Sequence, residues 1–221
     1  PTILDDGRVV LCDGNTGELL VYDNGAVSAY ARTGGSPWGT VPGSDGAIYV
    51  TQGGNVPGSG DVSAVSGIQR VNADGTVELL CSQVAGYQLY GPNDLAFGPD
   101  GRLYFTESGS EQDFRFDVRS PGRLFAVDGS GASVTGEMLL ELPGVYPNGI
   151  AFDRDQRLYW TESMAHRVRR LEDVIEGRSL TGVVELPDPD PEWVRLRVSL
   201  EWPGEVPGRL KDLVTLPGVG R

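Results

Sequence analysis

Pro92-Asn93-Asp94-Leu95-Ala96-Phe97-Gly98-Pro99-Asp100-Gly101-Arg102-Leu103-Tyr104-Phe105-Thr106 decides the fold. Two short apolar runs flank an Asp-Gly turn, the pattern of a β-hairpin. The pattern also occupies Pro37 to Thr51 and Pro147 to Thr161, with 55 residues from Pro37 to Pro92 and 55 from Pro92 to Pro147. A constant period of that size marks a repeat architecture. Short strands at periods of roughly 40–50 residues point to propeller blades rather than a helical solenoid. A shorter fourth copy opens the chain at Pro1 to Leu11, around Asp6-Gly7.

The remainder of each unit reads the same way. Gly17 to Asp23, Gly67 to Asn72, Gly122 to Asp128 and His166 to Glu172 read as third strands. Ala26 to Tyr30, Val77 to Cys81, Met138 to Leu142 and Val183 to Leu186 read as fourth strands. The expected fold is all-β: one β-propeller domain over residues 1–221, with four clear four-stranded blades at about 1–32, 33–86, 87–142 and 143–187. An irregular remnant fills 188–221, where Asp188-Pro189-Asp190-Pro191 stands in place of a fifth copy. A propeller must close, because an open edge blade exposes unpaired strand groups. The chain is therefore read as a fragment, as lacking residues, or as having a diverged end; these stay open.

Composition narrows the function classes. The 32 glycines and 15 prolines suit short strands joined by many turns, and no apolar run is long enough to span a membrane. A net charge of −13 argues against nucleic acid and anionic membrane surfaces as partners. Cys12 and Cys81 fall in predicted strands and read as small buried residues; whether they pair stays open. Two cysteines do not make a structural zinc site of the usual kind. No leader-like segment opens the sequence, so the expected location is the cytoplasm, with secretion left open if the native N-terminus lies upstream. The oligomeric state is not legible.

The single histidine, His166, has no G-x-S-x-G elbow to serve, and no nucleotide-binding glycine loop occurs. Asp153-Arg154-Asp155-Gln156-Arg157 lacks the Gly and terminal Glu of a calcium loop and reads as a hairpin turn. Strand direction narrows the search further. The loop entering the first strand of a blade and the loop joining its second and third strands share one face, here termed the top. That face collects Trp38, Asn93, Asp94 and Asn148 with the long loops Gln52 to Ser66 and Glu107 to Pro121; Glu162 falls there too. Long loops at one mouth usually bind something. The Asp-Gly turns fall on the opposite face and should be structural. Asn93 and Asn148 read either as oxygen donors to a hard cation or a substrate, or as ordinary residues of Pro-Asn turns.

Gly91-Pro92-Asn93-Asp94-Leu95-Ala96-Phe97-Gly98-Pro99-Asp100-Gly101 and Tyr146-Pro147-Asn148-Gly149-Ile150-Ala151-Phe152 resemble the gluconolactonase / regucalcin family over roughly residues 1 to 186. The resemblance implies a six-bladed propeller that hydrolyses a sugar lactone with a divalent cation, often calcium, with Zn2+, Mg2+ or Mn2+ as other choices. Carried over by motif, Asn148 is the metal-binding Asn of Pro-Asn-Gly. Asn93 contacts substrate or a metal-bound water and counts as a further metal residue, with Asp94 beside it on the substrate. The family's Asp of Pro-Asp-Gly has Asp190 as its nearest match, as metal ligand and catalytic base, although Pro191 replaces the Gly. A family Glu ligand would lie upstream of Pro1, and Gly91 stands where some relatives carry an Arg.

The expectation is a metal-dependent lactone hydrolase, impaired in this chain, with a small-molecule lactone as its partner. The cation would act as Lewis acid on the lactone carbonyl and lower the pKa of a bound water. Two rivals remain: a non-catalytic propeller that binds a ligand or partner, and a strictosidine synthase-like propeller sharing similar motifs.

Overall fold

The computed structural model describes residues 1–54, 63–109, 121–128 and 134–171, with the backbone of 183–185. Residues 188–221, and with them Asp190 and the expected remnant, lie outside the described residues. Four antiparallel four-stranded sheets form the blades. Blade one holds β1 (Thr2–Ile3), β2 (Val9–Asp13), β3 (Glu18–Asp23) and β4 (Ala26–Arg32). Blade two holds β5 (Pro37–Pro42), β6 (Ile48–Gln52), β7 (Gly67–Val71) and β8 (Val77–Cys81). A small hairpin follows, β9 (Gln83–Val84) paired with β10 (Tyr87–Gln88). Blade three holds β11 (Pro92–Phe97), β12 (Leu103–Glu107), β13 (Gly122–Asp128) and β14 (Thr135–Leu142). Blade four holds β15 (Pro147–Phe152), β16 (Leu158–Glu162), β17 (Arg167–Leu171) and β18 (Val183–Glu185). In each sheet the strands pair in chain order, so the fold is the expected all-β propeller. No helix among the described residues is long and apolar enough to cross a membrane.

The second strands of blades two and three are sandwiched between neighbouring blades, so their alternating side chains serve two cores. Ile48 and Val50 of β6 pack with Val10 and Leu19 of blade one. Tyr49 of the same strand packs with Leu95, Leu103 and Phe105 of blade three. Tyr104 of β12 turns the other way, onto Ile150, Leu158 and Trp160 of blade four. This is why Leu103 to Glu107 are all buried, and why these strands read as continuous apolar runs. Phe105 and Phe125 are fully buried and stack at 5.3 Å; each such ring contributes about 2–3 kcal/mol of apolar burial.

The inner turns repeat to the hydrogen bond. Gly43 N–H donates to the Ala47 carbonyl and Gly46 N–H to that of Gly43, with the same pair at Gly98/Arg102 and Gly101/Gly98. In blade four, Asp153 N–H donates to Arg157 and Gln156 N–H to Asp153, so the Asp153–Arg157 stretch is the expected hairpin turn. The turn carboxylates are engaged locally. Against the opposing effect of burial, hydrogen bonds from Arg102 and Tyr104 hold the Asp100 carboxyl below its usual range. Gly46 and Gly101 have φ of +78° and +80°, where blade four carries Gln156 at +64°. A side chain in that region costs about 1–2 kcal/mol. Gln156→Gly is therefore expected to raise unfolding stability by about 1 kcal/mol, part of the relief being lost to backbone entropy. Urea titration of both proteins checks this; a destabilised variant would contradict it.

Several boundaries differ from the sequence reading by a residue or two, among them the end of β4 at Arg32 rather than Tyr30, and three differences are instructive. The division of blades two and three at 86/87 cuts through the β9–β10 hairpin, whose turn places Ala85 at φ +50° and Gly86 at +79°. β14 begins at Thr135 rather than Met138, and Gly136 sits so close to Val127 that a Cβ there would lie 2.6 Å from Cγ1. β17 begins at Arg167, because Ser163–Ala165 form a 3-10 turn ended by His166 at φ +52°. Cys12 and Cys81 are free thiols in different blades, each pushed up to about 11 by burial.

Candidate functional site

The inner hairpins of blades two, three and four each carry one extra residue at the end opposite the turn. Pro92 pairs with Glu107 and Leu95 with Phe105, so Asn93-Asp94 bulge from the ladder against Thr106. The same shift falls between Pro37 and Thr40 and between Pro147 and Ile150. Bulges of this kind re-aim side chains and recur beside active sites. Trp38, Asn93 and Asn148 occupy equivalent positions, and the Asp45-Gly46, Asp100-Gly101 and Asp155-Gln156 turns lie at the far ends of these hairpins, as the strand directions require.

Threonine hydroxyls tie the bulges into a row. Thr51 Oγ1 accepts from Gly39 N–H at 2.8 Å and donates to the Asn93 carbonyl at 2.6 Å. Thr106 Oγ1 accepts from Asp94 N–H at 3.1 Å and donates to the Asn148 carbonyl at 2.5 Å. A hydroxyl has one proton to give and two lone pairs to receive with, which suits this double duty. The bonds place Asn93 and Asn148 at the same level of adjoining blades. Both residues are half-buried, and their side-chain amides have no hydrogen-bond partner among the described residues.

Asp94 is committed to the backbone. Its Oδ1 accepts from Leu95 N–H at 2.9 Å and its Oδ2 from Ile150 N–H of blade four at 3.2 Å. Burial raises its pKa, against the pull of these two amides. Trp38 donates its indole N–H to Ser36 Oγ at 2.9 Å and lies over Gly53, so blade two offers an aromatic wall where its neighbours offer amides.

The buried acids of this face are also engaged. Glu107 is fully buried and accepts from Gly91 N–H at 2.7 Å and Gly109 N–H at 3.1 Å; burial pushes it up to about 7. Gln52 does the same work in blade two, accepting from Ser36 N–H at 2.6 Å and Gly54 N–H at 3.0 Å. Glu162 accepts from Trp160 Nε1 at 3.0 Å and pairs with Arg167 at 2.6 Å. His166 is exposed. No group of three His, Cys, Asp or Glu able to hold a metal occurs among the described residues. The chemistry available there is neutral oxygen donation from Asn93 and Asn148, which suits a hard cation once anionic donors join it.

Thr106 and Ser108, which touch the Asn148 segment, were not singled out from the sequence. Thr106 had a visible signal, because Thr51, Thr106 and Thr161 recur at one place in the repeat.

Among solved structures, a gluconolactonase from Xanthomonas campestris superposes with a TM-score of 0.66 at 20% identity, over 84% of this chain and 60% of its own. Virginiamycin B lyase from Staphylococcus aureus superposes with 0.59 at 20% identity, over 86% of this chain and 55% of its own. A streptogramin B lyase gives 0.52 at 19% identity, over 86% and 68%. At these identities the likeness is one of fold. This chain thus spans just over half the length of the first two. No curated protein matches it. Residues 3–186 match the family described as SMP-30/Gluconolactonase/LRE-like region. Four blades, the repeated Pro-Asn bulges and a match over most of the sequence place the chain in the SMP-30/gluconolactonase/LRE-like family.

Proposed function

We propose that this protein hydrolyses a small lactone, of the sugar-lactone class, with a divalent cation held at the end of the channel by Asn148. The observation that carries this reading is the pair of unpartnered amides, Asn93 and Asn148, on equivalent bulges of adjoining blades. Neither amide is sealed from solvent or held by a protein partner among the described residues, so both are free to take an incoming ligand. Family membership supports cation dependence, and calcium is the favoured ion because the donors are neutral oxygens. A bound cation there supplies positive charge for a carbonyl oxygen and for water.

The chain's own residues have separate tasks. Asn148 gives its Oδ1 to the cation. Asn93, one blade away, can accept and donate at once, and orients the substrate or the attacking water. Asp94 keeps both bulges in register, and Trp38 walls the mouth with an apolar face. Asp190, outside the described residues, is the proposed general base and anionic ligand.

Calcium titration by calorimetry into the full-length protein, beside a pH-stat assay with gluconolactone, tests this. Asn148→Ala is expected to lower calcium affinity by about 100-fold and abolish calcium-dependent turnover, since removing a direct ligand exceeds the 10–100-fold loss typical of outer-shell changes. His166→Ala should leave both unchanged. Equal affinity in wild type and Asn148→Ala would refute the assignment. Calcium binding without turnover of any lactone would favour the non-catalytic reading.

A further inference from the structure

We propose that Asp94, Thr106 and Ser108 of blade three are positioning residues that clamp the backbone carrying Asn148 in blade four. The inference rests on the reading of Asn148 as a cation ligand. Ser108 Oγ donates to the Pro147 carbonyl at 2.5 Å, and Thr106 Oγ1 donates to the Asn148 carbonyl at 2.5 Å. Asp94 Oδ2 accepts from Ile150 N–H at 3.2 Å. Three side chains of one blade thus grip three backbone groups within residues 147–150 of the next. Thr106 is fully buried and Ser108 nearly so, so water does not compete for these bonds.

Asn93 is held differently. Thr51 Oγ1 donates to its carbonyl at 2.6 Å, as Thr106 does for Asn148. The places of Ser108 and Asp94 are taken in blade two by Gly53 and Gly39, which have no side chain to give. Both glycines are packed against larger groups. A Cβ on Gly53 would lie 2.8 Å from Trp38 Cζ2, and one on Gly39 would lie 2.7 Å from Asp94 Oδ1. Leu95 N–H, the counterpart of Ile150 N–H, is bonded by its own neighbour Asp94 at 2.9 Å instead. Within the equivalent segments 147–150 and 92–95, cross-blade side chains therefore fix Asn148 at three points and Asn93 at one, the further bond from Ser66 Oγ to the Tyr90 carbonyl at 2.9 Å lying upstream. That asymmetry matches two roles: a metal donor must be fixed, because displacement costs affinity, whereas a residue facing substrate tolerates adjustment.

The test compares calcium affinity by calorimetry across matched variants, with thermal melts and hydrogen exchange of the Ile150 amide as readouts independent of turnover. Thr106→Val and Ser108→Ala are each expected to weaken calcium binding about tenfold, within the range seen when an outer-shell partner is lost. Thr106→Ser, which keeps the hydroxyl, should stay within about twofold of wild type. Thr51→Val is the structural control: it loses the same kind of buried cross-blade bond and melts earlier, yet should weaken calcium binding less than about threefold. Asp94→Asn should speed exchange of the Ile150 amide. Equal losses in Thr51→Val and Thr106→Val would reduce the clamp to general stability and overturn the proposal. So would wild-type affinity in Thr106→Val and Ser108→Ala while Asn148→Ala shows its expected loss. Wild-type affinity in Asn148→Ala itself would overturn the metal reading, and the clamp as a metal-binding device with it.

Discussion

Glu107→Ala is expected to lose about 3–5 kcal/mol of stability, whereas Glu107→Gln gains stability at pH 8. Glu107 is fully buried and accepts the N–H groups of Gly91 and Gly109, with Tyr90 N–H at 3.3 Å. Alanine would orphan these donors in the interior and leave a cavity, and each unsatisfied buried donor costs about 1–3 kcal/mol. Glutamine is the residue that blade two uses at this place. There Gln52 accepts two N–H groups through Oε1 and donates from Nε2 to the Gly34 carbonyl at 2.5 Å. The pH dependence follows from the raised pKa, about 7 in the fold against 4.5 for a free glutamate. Below pH 4.5 both states are protonated and the contribution of Glu107 is fully present. Between 4.5 and 7 the unfolded chain gives up the proton while the fold keeps it, so stability falls as pH rises. Over that interval the loss is of order 3 kcal/mol. Urea unfolding of wild type and Glu107→Gln at pH 5 and pH 8 reads it directly. The gap between them should open in favour of glutamine at pH 8; a gap independent of pH would show that Glu107 is ionised throughout.

Gly122→Ala is expected to cost about 3 kcal/mol and to weaken cation binding with it. A Cβ on Gly122 would lie 2.1 Å from Pro147 Cδ and 2.6 Å from its Cγ. The proline ring cannot swing away, because its torsion belongs to the backbone. Pro147 is also held by its pairing with Glu162 and by Ser108 at its carbonyl. Blades three and four must therefore part, and Pro147 precedes Asn148. Overpacking a tight contact costs about 1–3 kcal/mol, with the upper end expected against a rigid neighbour. Gly101→Ala gives the comparison: φ is +80° with open space around it, so about 1 kcal/mol of strain is expected and no change in cation affinity. Similar losses in the two variants would mean that the interface yields where the contacts say it cannot.

The 55-residue spacing, the Asp-Gly turns and the apolar runs around them locate four blades and their inner hairpins from sequence alone. These features are local, so they survive without tertiary information. The β9–β10 hairpin did not stand out because Ala85 occupies a left-handed position where one looks for Asn or Gly. Gly136 lies ahead of the Met138 start read from the sequence, and its missing side chain is what lets β14 approach Val127 and Val84. At the site, Asn93 and Asn148 were legible because the repeat places them in register. The tasks of Asp94, Thr106 and Ser108 were not, since their partners lie 56, 42 and 39 residues away. A threonine in an apolar strand otherwise reads as an ordinary β-former.

The row of threonine hydroxyls bears on how such a ring changes size. Blade three shows both halves of the link: its bulge carbonyl receives from the preceding unit, and its threonine hydroxyl serves the following one. A whole unit inserted into the row is self-matching: it takes the bond meant for its successor and offers an identical one onward. Duplication or loss of complete units then strands no buried polar group, whereas a break inside a unit strands one at once. Cys12 stands at the threonine's place in blade one, and the cross-blade hydroxyl there is Thr2 Oγ1, which donates to the Thr40 carbonyl at 2.6 Å, two residues past the bulge position Trp38.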